Sequence, residues 1–395
     1  MNFQLISCAQ KTKVQGLEIN IQSSQKQPFK IKTGAERTHL YVELLKGKNI
    51  AVVGNQTSII EKRNKKQETR HLVDSLLSLG INIKKVFAPE HGFRGKADAG
   101  EIIKDGVDAK TSLPIISLYG NNKKPSNEQL KDIDIVVFDI QDVGARFYTY
   151  ISTLHYVMEA CAELNIKLLI LDRPNPNAHY IDGPVLEIAH KSFVGMHKVP
   201  VVYGMTIGEY GKMINGEKWL KNGIQCELSV IPLENYTHQT AYTLPVKPSP
   251  NLPNDKSINL YPSLCFFEGT TVSAGRGTEM QFQIYGAPFL AKSQFSFTPE
   301  ANEGAKYPKY KNELCFGEDL RMTKKRSQLD ISFLIKAYEQ NLSKAFFNSF
   351  FTNLAGTKKL QQQIEQGVSE EEIRKTWEVD LEAFQETRKL YLLYK

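Results

Sequence analysis

Hydrophobic and polar positions alternate in two distinct rhythms along residues 34–235. Short apolar runs predict strands, and apolar residues spaced three or four positions apart predict helices. The predicted strands span 49–53, 81–87, 115–117, 133–140, 167–171 and 226–231, and the predicted helices span 37–45, 71–79, 152–164 and 207–214. Strands that alternate with helices are typical of a parallel, doubly wound sheet. We therefore expect an α/β domain over 34–235.

The pattern changes after residue 235. Prolines are too dense in 244–254 for regular structure. Helical spacing returns at 329–341, 345–366 and 370–394, and Ser369 and Glu372 have the spacing of a capping box for the last of these helices. We expect a second, smaller α+β domain over 236–395, preceded in the chain by a polar N-terminal tether over 1–33 and the α/β domain.

The overall composition is that of an ordinary globular protein. Of the 395 residues, 41% are hydrophobic and 24% are charged, which argues against a disordered chain. The net charge is +7, but the basic runs at 61–70 and 324–326 lack the interleaved aromatic residues of a surface that binds single-stranded nucleic acid. We therefore expect solvated faces rather than a nucleic-acid partner. No apolar run approaches the roughly 18 residues that a membrane-spanning helix needs.

The sequence lacks the usual signatures of metal and cofactor sites. Its five cysteines show no CxxC or Cys/His spacing, so neither zinc nor a dense disulfide framework is indicated. The segment 54–58 follows the first strand but matches neither dinucleotide-binding nor P-loop motifs. GxSxG and HExxH are also absent, which weakens the serine-hydrolase and metalloprotease hypotheses. We expect no metal and no cofactor.

Cys8 suggests export. Residues 5–8, Leu-Ile-Ser-Cys, resemble a bacterial lipobox, and a Gln/Lys-rich spacer follows. A positively charged start and a full apolar segment are missing, so either the match is chance or the true start codon lies upstream. We expect a periplasmic or outer-membrane-anchored lipoprotein, attached to the membrane through a lipidated Cys8.

Polar residues of similar chemistry follow three of the predicted strands, in segments 87–100, 136–150 and 168–177. Because carboxyl ends of parallel strands share one edge of a sheet, these residues are expected to line one cleft. Glu90 and His91 come directly after the second strand. A partly desolvated Glu90 can act as a general acid; the alternative is a structural pair with Arg94.

The next two strand ends offer further binding residues. Asp139 and Gln141 point to one side of the chain because side chains alternate on a strand. Arg146, with Tyr148, is suited to holding a carboxylate and stacking on a sugar. The alternative for either acid, Asp139 or Asp142, is a structural Asp–Arg ion pair. The last strand end supplies Asp172, Arg173 and Asn175, which form either a binding surface or, given the neighbouring prolines, a rigid wall.

Four other residues complete the candidate site. Asn55 either hydrogen-bonds a ligand or caps the next element. In the second domain, Arg276 between two glycines is an anion-clamp candidate, and Glu268 is the strongest second carboxylate. A buried Glu268–Arg276 pair is the structural alternative. Glu279 is a further acid in the same segment.

With these residues in place, the chain resembles the family formerly called DUF1343, whose characterised members are exo-β-N-acetylmuramidases of the NamZ type. The matching segments are GNQTS (54–58), APEHGFRG (88–95), LPIISLYG (113–120), FDIQDVGARFYTY (138–150), LDRPNPN (171–177), VVYGMTIGEY (201–210), PSPNLP (248–253) and FFEGTTVSAGRGTEMQFQIYGAP (266–288). The resemblance implies a Rossmann-like domain joined to a smaller one, with the active site in the cleft between them. It also implies release of N-acetylmuramic acid (MurNAc) from the non-reducing ends of peptidoglycan fragments, with Glu90 at the position of the family's glutamate.

This chemistry defines what the site must contain. Glycoside hydrolysis usually needs two carboxylates, and the sequence offers Glu90 with Asp142, Glu268 or Glu279; the 2-acetamido group of the substrate can replace one of them. MurNAc carries a lactyl carboxylate, for which the clamp candidates are Arg276 first, then Arg146, Arg94 and Arg173. The expected partners are MurNAc–GlcNAc oligosaccharides and muropeptides. The competing hypothesis is a muropeptide-binding lipoprotein without catalysis.

Overall fold

A seven-stranded sheet organises the first part of the chain in the computed structural model, which describes residues 30–61, 68–94, 105–341 and 345–394. The strands of this part of the chain, including two outside the sheet, are β1 (Asn49–Gly54), β2 (Ile59–Glu61), β3 (Thr69–His71), β4 (Asn82–Ala88), β5 (Gly106–Val107), β6 (Pro114–Ser117), β7 (Ile135–Asp139), β8 (Lys167–Leu171) and β9 (Leu228–Ile231). The sheet order is β5-β6-β4-β1-β7-β8-β9, and only β5 runs antiparallel to its neighbour. β2 and β3 form a separate hairpin.

Helices cover both faces of this sheet. They are α1 (Val42–Leu45), α2 (Leu72–Ser78), α3 (Asn127–Leu130), α4 (Tyr150–Glu163) and α5 (Ile207–Gly216). Along β1, Ile50 and Val52 pack in the hydrophobic cluster that contains α2, whereas Ala51 and Val53 pack in the cluster that contains α4. A strand with both faces buried has to be apolar throughout, which explains why the six parallel strands were predictable. The α/β fold is confirmed.

The order of the strands fixes where loops meet. From β1 the chain proceeds to β4 and β6 on one side and then crosses to β7, β8 and β9 on the other. The direction therefore changes between β1 and β7, where ligands of doubly wound sheets commonly bind beyond the carboxyl ends of the strands.

The helix predicted at 37–45 differs from the structure. Two 3-10 turns, Gly34–Glu36 and Thr38–Leu40, precede the short α1. The side chain of Tyr41 is buried, and its hydroxyl donates to the carbonyl of Ala35 at 2.8 Å. The backbone of Arg37 and of Tyr41 is non-helical, so the predicted helix is divided at these two residues.

The second part combines helices with a small antiparallel sheet. Its elements are α6 (Asp255–Leu264), the 3-10 turn Cys265–Gly269, β10 (Ile284–Ala287), β11 (Ser296–Phe297), β12 (Cys315–Asp319), α7 (Ser332–Glu339), α8 (Phe351–Ala355), α9 (Lys359–Glu365), α10 (Glu370–Lys375) and α11 (Glu378–Lys389). The sheet order is β10-β12-β11. Residues 244–254 form no strand or helix, as their proline content predicts, and the capping box of Ser369 and Glu372 is confirmed.

The helix predicted over 345–366 is divided into α8 and α9. Gly356 ends α8 in the left-handed conformation, with φ of 72°, which glycine adopts without the penalty that a Cβ imposes. Helical periodicity continues across such a break because α9 packs its own apolar residues, Leu360 and Ile364, into the same core.

One large hydrophobic cluster extends from the sheet into the second part. It includes Leu154 of α4, Phe266, Phe351 of α8 and Trp377, and residues Ile31–Lys395 form one compact unit. The end of the chain is anchored on the sheet as well, where the hydroxyl of Tyr394 donates to Asp172 at 2.6 Å. Within the described residues, no helix is both long and apolar enough to cross a membrane.

Candidate active site

The turn after β4 places Glu90 and His91 at the carboxyl edge of the sheet. Pro89 begins this turn, and its carbonyl accepts from the amide of Gly92 at 3.0 Å. His91 has φ of 70°, an uncommon conformation for a residue with a side chain. Such strain is often found where a turn is held for a function.

Glu90 is positioned by hydroxyl groups from two other strand ends. Thr149, which precedes α4, donates from Oγ1 to Oε2 of Glu90 at 2.8 Å. Tyr119, which follows β6, also hydrogen-bonds to Glu90; burial, and then the nearby Glu90 carboxylate, raise the pKa of Tyr119 well above its ordinary value. Three loops at one sheet edge thus converge on one carboxyl group.

Glu90 opens into a cavity of about 210 Å³ whose opposite wall comes from the second part of the chain. Five of the predicted site residues line it: Glu90, His91, Tyr148, Glu268 and Arg276. The other lining residues are Tyr119, Phe147, Thr149, Phe193, Val194, Ser249, Asn251, Leu252, Tyr261, Cys265, Phe282, Phe350 and Leu354. The cavity therefore combines two carboxylates and one guanidinium with several aromatic rings, as sites for polar ligands with apolar faces commonly do.

Glu268 and Arg276 form an ion pair in the cavity wall. Nη1 of Arg276 lies 3.4 Å from Oε2 of Glu268, and the two side chains are 22% and 25% exposed, respectively. Nη2 of Arg276 also donates to the carbonyl of Gly304 at 3.2 Å. The structural alternative of a Glu268–Arg276 pair is thus present, but the pair is partly exposed and faces the cavity.

The glycines beside Arg276 have a backbone role. Gly275 and Gly277 have φ of 77° and 82°, and a Cβ on them would lie 2.6 Å from Ile284 and 2.7 Å from Pro308, respectively. Only glycine fits both positions. The conformation of the turn and its close packing therefore explain the two glycines beside Arg276.

The sequence matches the models of one enzyme family over most of its length. The N-terminal and C-terminal models of the exo-β-N-acetylmuramidase NamZ match residues 50–256 and 259–394, respectively. The chain belongs to the NamZ family. The resemblance drawn from the sequence motifs is confirmed, and the protein is a glycoside hydrolase.

Individual NamZ-family relatives agree with this assignment. The chain is 36% identical over 383 residues to the peptidoglycan β-N-acetylmuramidase NamZ of Bacillus subtilis, covering 90% of this chain and 89% of the relative. Two crystal structures of DUF1343 family proteins from Bacteroides fragilis share the fold. One has a TM-score of 0.84 at 46% identity, covering 93% of this chain and 99% of the other; the second has a TM-score of 0.79 at 28% identity, with 92% and 99% covered.

Several residues predicted for the NamZ-family site lie instead at the switch between β1 and β7. Nε and Nη2 of Arg173 contact the two carboxylate oxygens of Asp139 at 2.6 and 2.9 Å, and both side chains are buried. Burial raises the pKa of the Asp139 carboxyl, and the contact with Arg173 opposes this effect. The structural alternative of an Asp–Arg pair is therefore confirmed for Asp139, with Arg173 as its partner.

The turn after β1 is also closed by internal bonds. Oδ1 of Asn55 accepts from the amide and the hydroxyl of Thr57 at 2.9 and 2.6 Å. Nδ2 of Asn55 donates to the hydroxyl of Tyr150 at 2.9 Å. Asn55 therefore caps a turn, which was one of its two predicted roles, and the switch point is filled by protein side chains.

Asp142 and Gln141 brace the loop that follows β7. Nε2 of Gln141 donates to the carbonyls of Asp142 and Pro174 at 2.7 and 2.6 Å. Asp142 accepts from the amide of Gly144 at 2.7 Å and from the hydroxyl of Tyr203. Burial raises the pKa of Asp142 to about 6. Neither residue lines the cavity.

Arg146 is enclosed by main-chain carbonyls. Its Nη1 donates to Pro184 and Val199, both at 2.8 Å, and its Nη2 donates to Leu354 and Ala355 at 2.9 and 2.8 Å. The side chain is fully buried, and burial lowers its pKa to about 9. These bonds occupy both terminal nitrogens, so the structure favours a scaffold role.

Asp172 and Asn175 have structural roles in the segment that follows β8. Asp172 accepts from the hydroxyl of Thr206 at 2.7 Å and the amide of Gly208 at 2.8 Å, in addition to Tyr394. Burial raises the pKa of Asp172 to about 7. Nδ2 of Asn175 donates to the carbonyl of Met205 at 2.8 Å. Both residues hold chain segments together away from the cavity.

Arg94 and Glu279 also lie outside the cavity. Nε and Nη2 of Arg94 contact Asp108 at 3.1 and 2.7 Å, and its guanidinium lies 4.5 Å from the ring centre of Phe93. Among the described residues, Asp108 and Asp74 are the acidic partners of Arg94, so the structural alternative of a Glu90–Arg94 pair is not found. Glu279 is exposed.

Several residues of the cavity were not predicted from the sequence. Tyr119 lies two positions after the strand predicted at 115–117, so it could have been predicted as a strand-end residue. Asn251 lies in the proline-rich segment and donates from Nδ2 to the carbonyl of Gly304 at 2.6 Å. Phe193 and Phe350 reach the cavity from distant parts of the chain, and no local pattern marks them. Within the described ranges, no group of three or more His, Cys, Asp and Glu side chains is arranged to hold a metal ion.

Proposed function

We propose that this enzyme is an exo-acting β-N-acetylmuramidase that releases MurNAc from the non-reducing ends of peptidoglycan fragments. The observation that carries this proposal is the cavity in which Glu90, Glu268 and Arg276 meet in a chain of the NamZ family. The Bacillus subtilis relative is named as a peptidoglycan β-N-acetylmuramidase. The proposed substrates are MurNAc–GlcNAc oligosaccharides and muropeptides.

The two carboxylates have different surroundings, which supports different proposed roles for them. Thr149 and Tyr119 beside Glu90 are neutral hydroxyls, which can hydrogen-bond to a carboxyl group in either protonation state. Glu268 instead forms an ion pair with Arg276. We therefore give Glu90 the role of acid and Glu268 the role of the second carboxylate.

In the proposed reaction, Glu90 donates its proton to the glycosidic oxygen as the bond from that oxygen to C1 of MurNAc breaks. The positive charge that develops on the sugar ring is stabilised by Glu268 or by the substrate's own 2-acetamido group. Water then adds to C1 and returns a proton to the enzyme. Of the acids considered beside Glu90, Asp142 and Glu279 do not line the cavity, which favours Glu268.

The same geometry favours one of the four arginines that were predicted to bind the lactyl carboxylate. Arg94, Arg146 and Arg173 are engaged by Asp108, main-chain carbonyls and Asp139, respectively. Arg276 lines the cavity, and its contacts with Glu268 and with the carbonyl of Gly304 are long, at 3.4 and 3.2 Å. A substrate carboxylate can therefore bind Arg276 through the two-pronged geometry that a guanidinium favours.

Glu90→Gln tests the central assignment. Glutamine keeps the shape of the side chain but has no acidic proton, so turnover of MurNAc-β-1,4-GlcNAc, whose leaving sugar oxygen needs protonation, should fall by roughly 10²–10⁴-fold. Glu279→Gln, which removes an exposed acid outside the cavity, is the control and should retain activity. Near-wild-type turnover by Glu90→Gln would refute the acid role, and binding without turnover by the wild-type protein would indicate a non-catalytic binding protein.

We also propose that the enzyme acts on the periplasmic side of a membrane, attached through Cys8. Cys8 lies outside the described residues, and the support is the lipobox-like segment 5–8 with its polar spacer. Expression from the native locus with labelled palmitate should tag the wild-type protein but not Cys8→Ala. Equal labelling of both proteins, or an unlabelled cytoplasmic pool, would contradict the attachment.

A further inference from the structure

A second cavity adjoins the first across the Glu268–Arg276 pair. Its volume is about 320 Å³, and both residues of the pair line it. The remaining lining residues are Ser273, Ala274, Ala305, Tyr307, Pro308 and Lys309. Because Glu268 and Arg276 also line the first cavity, the two cavities meet at this ion pair.

Tyr307 stands at this second cavity with 92% of its surface exposed. A single exposed aromatic residue needs no explanation by itself. Here, however, the ring is exposed at a cavity of mixed polarity that shares a carboxylate with the candidate active site. Aromatic rings in such places provide a flat apolar surface for ligands that are otherwise polar.

The loop that carries Tyr307 is fixed relative to both cavities. Nζ of Lys309 donates to the carbonyls of Phe267 and Thr270 at 2.6 and 2.7 Å, on either side of Glu268 along the chain. The carbonyl of Gly304 accepts from Arg276 at 3.2 Å and from Asn251 at 2.6 Å. The exposed ring of Tyr307 therefore projects from an anchored backbone.

We propose that the second cavity binds the sugar on the leaving-group side of the scissile bond, a neutral N-acetylhexosamine, and that Tyr307 stacks on its ring. This inference rests on the proposed function, in which MurNAc occupies the first cavity beside Glu90. The sugar that follows MurNAc is linked through C1, the atom at which the bond breaks, and so continues past Glu268. A peptide stem is attached to the lactyl group of MurNAc instead. The test must therefore distinguish a leaving-side sugar from a peptide as the occupant of the second cavity.

The test compares two substrates that share MurNAc but differ in the leaving group. MurNAc β-fluoride has no leaving-side sugar, whereas MurNAc-β-1,4-GlcNAc has one. Tyr307→Ala should lower kcat/KM for the disaccharide about 10-fold, in line with the energy of aromatic stacking contacts, and leave fluoride hydrolysis within about twofold. Tyr307→Phe keeps the ring and should restore the wild-type value. Met322→Ala, at an equally exposed position (93%) that lines neither cavity, is the control.

Three outcomes would overturn the inference while leaving the proposed function intact. They are equal losses on both substrates in Tyr307→Ala, an unchanged kcat/KM for the disaccharide, and failure of Tyr307→Phe to restore it. A loss confined to a disaccharide bearing a peptide on its lactyl group would assign the second cavity to the peptide and also overturn the inference. If the wild-type enzyme hydrolyses neither substrate, the proposed function fails, and the inference fails with it.

Discussion

Replacing Arg146 with methionine should destabilise the fold without altering recognition of MurNAc. Arg146 joins the carbonyls of Pro184 and Val199, in the connection between β8 and α5, to those of Leu354 and Ala355 at the end of α8. Methionine is similarly long and unbranched, so it fills most of the space but donates no hydrogen bond. The substitution therefore isolates the four donated bonds.

Two opposing energies determine the magnitude. Hydrogen bonds from a charged donor contribute about 1.5–3 kcal/mol each, so four bonds contribute about 6–12 kcal/mol. Burial opposes this, because lowering the pKa of Arg146 to about 9 corresponds to a cost of about 5 kcal/mol for the charged form. Val199 also retains a donor, the amide of Leu186 at 3.1 Å. The difference is about 1–7 kcal/mol, and the expected loss lies in its lower half, about 1–4 kcal/mol.

The assay combines urea unfolding with steady-state kinetics. Arg146→Met should lower the unfolding midpoint while kcat/KM, measured well below the transition, stays near the wild-type value. Arg276→Met is the matched comparison: its partly exposed ion pair contributes about 1 kcal/mol or less to stability, so its midpoint should change little while activity falls. An Arg146→Met protein with a wild-type midpoint and lost turnover would refute the scaffold role and return Arg146 to the substrate site.

Three further predictions concern recognition of the substrate by Arg276 and stability at two buried side chains, Tyr394 and His71. Arg276→Ala should cost on the order of 2–5 kcal/mol in transition-state binding of MurNAc glycosides but leave GlcNAc glycosides unaffected; an unchanged preference would exclude a charge clamp. Tyr394→Phe removes a donor from buried Asp172 and should lower the free energy of unfolding by about 1–3 kcal/mol, measured as a lower urea midpoint; an unchanged midpoint would contradict it. Burial lowers the pKa of His71 to about 4, so the unfolded chain takes up this proton first, and up to about 3 kcal/mol of stability present above pH 6.5 is lost as the pH falls towards 4. The urea midpoint of His71→Gln should fall less steeply over that range than that of wild type or of His39→Gln, an exposed control; parallel slopes would contradict it.

The sequence alone determined the main sheet and the first catalytic candidate. Strands such as Lys167–Leu171 were predicted at their observed bounds, because a strand buried on both faces must be apolar over its whole length. The capping box of Ser369 and Glu372 was equally local. Glu90 was identified as a strand-end residue, and the parallel topology that follows from alternating strands and helices places it at the carboxyl edge. These features depend on neighbouring residues along the chain.

Only the tertiary structure decided which of the similar strand-end residues face the cavity. Arg146 and Arg276 were both predicted from the sequence to bind the lactyl carboxylate, yet Arg146 donates to Leu354, 208 positions away, whereas Arg276 lines the cavity beside Glu268. A charged side chain is stable in the interior only where other groups pair with its charge or accept its hydrogen bonds. For Arg146 these groups are far away in the sequence, so the residues next to it do not predict them. For the same reason the positions of Phe350 and Tyr307 at the two cavities could not be predicted from the sequence. Contacts between segments far apart in sequence depend on how the two parts of the chain pack.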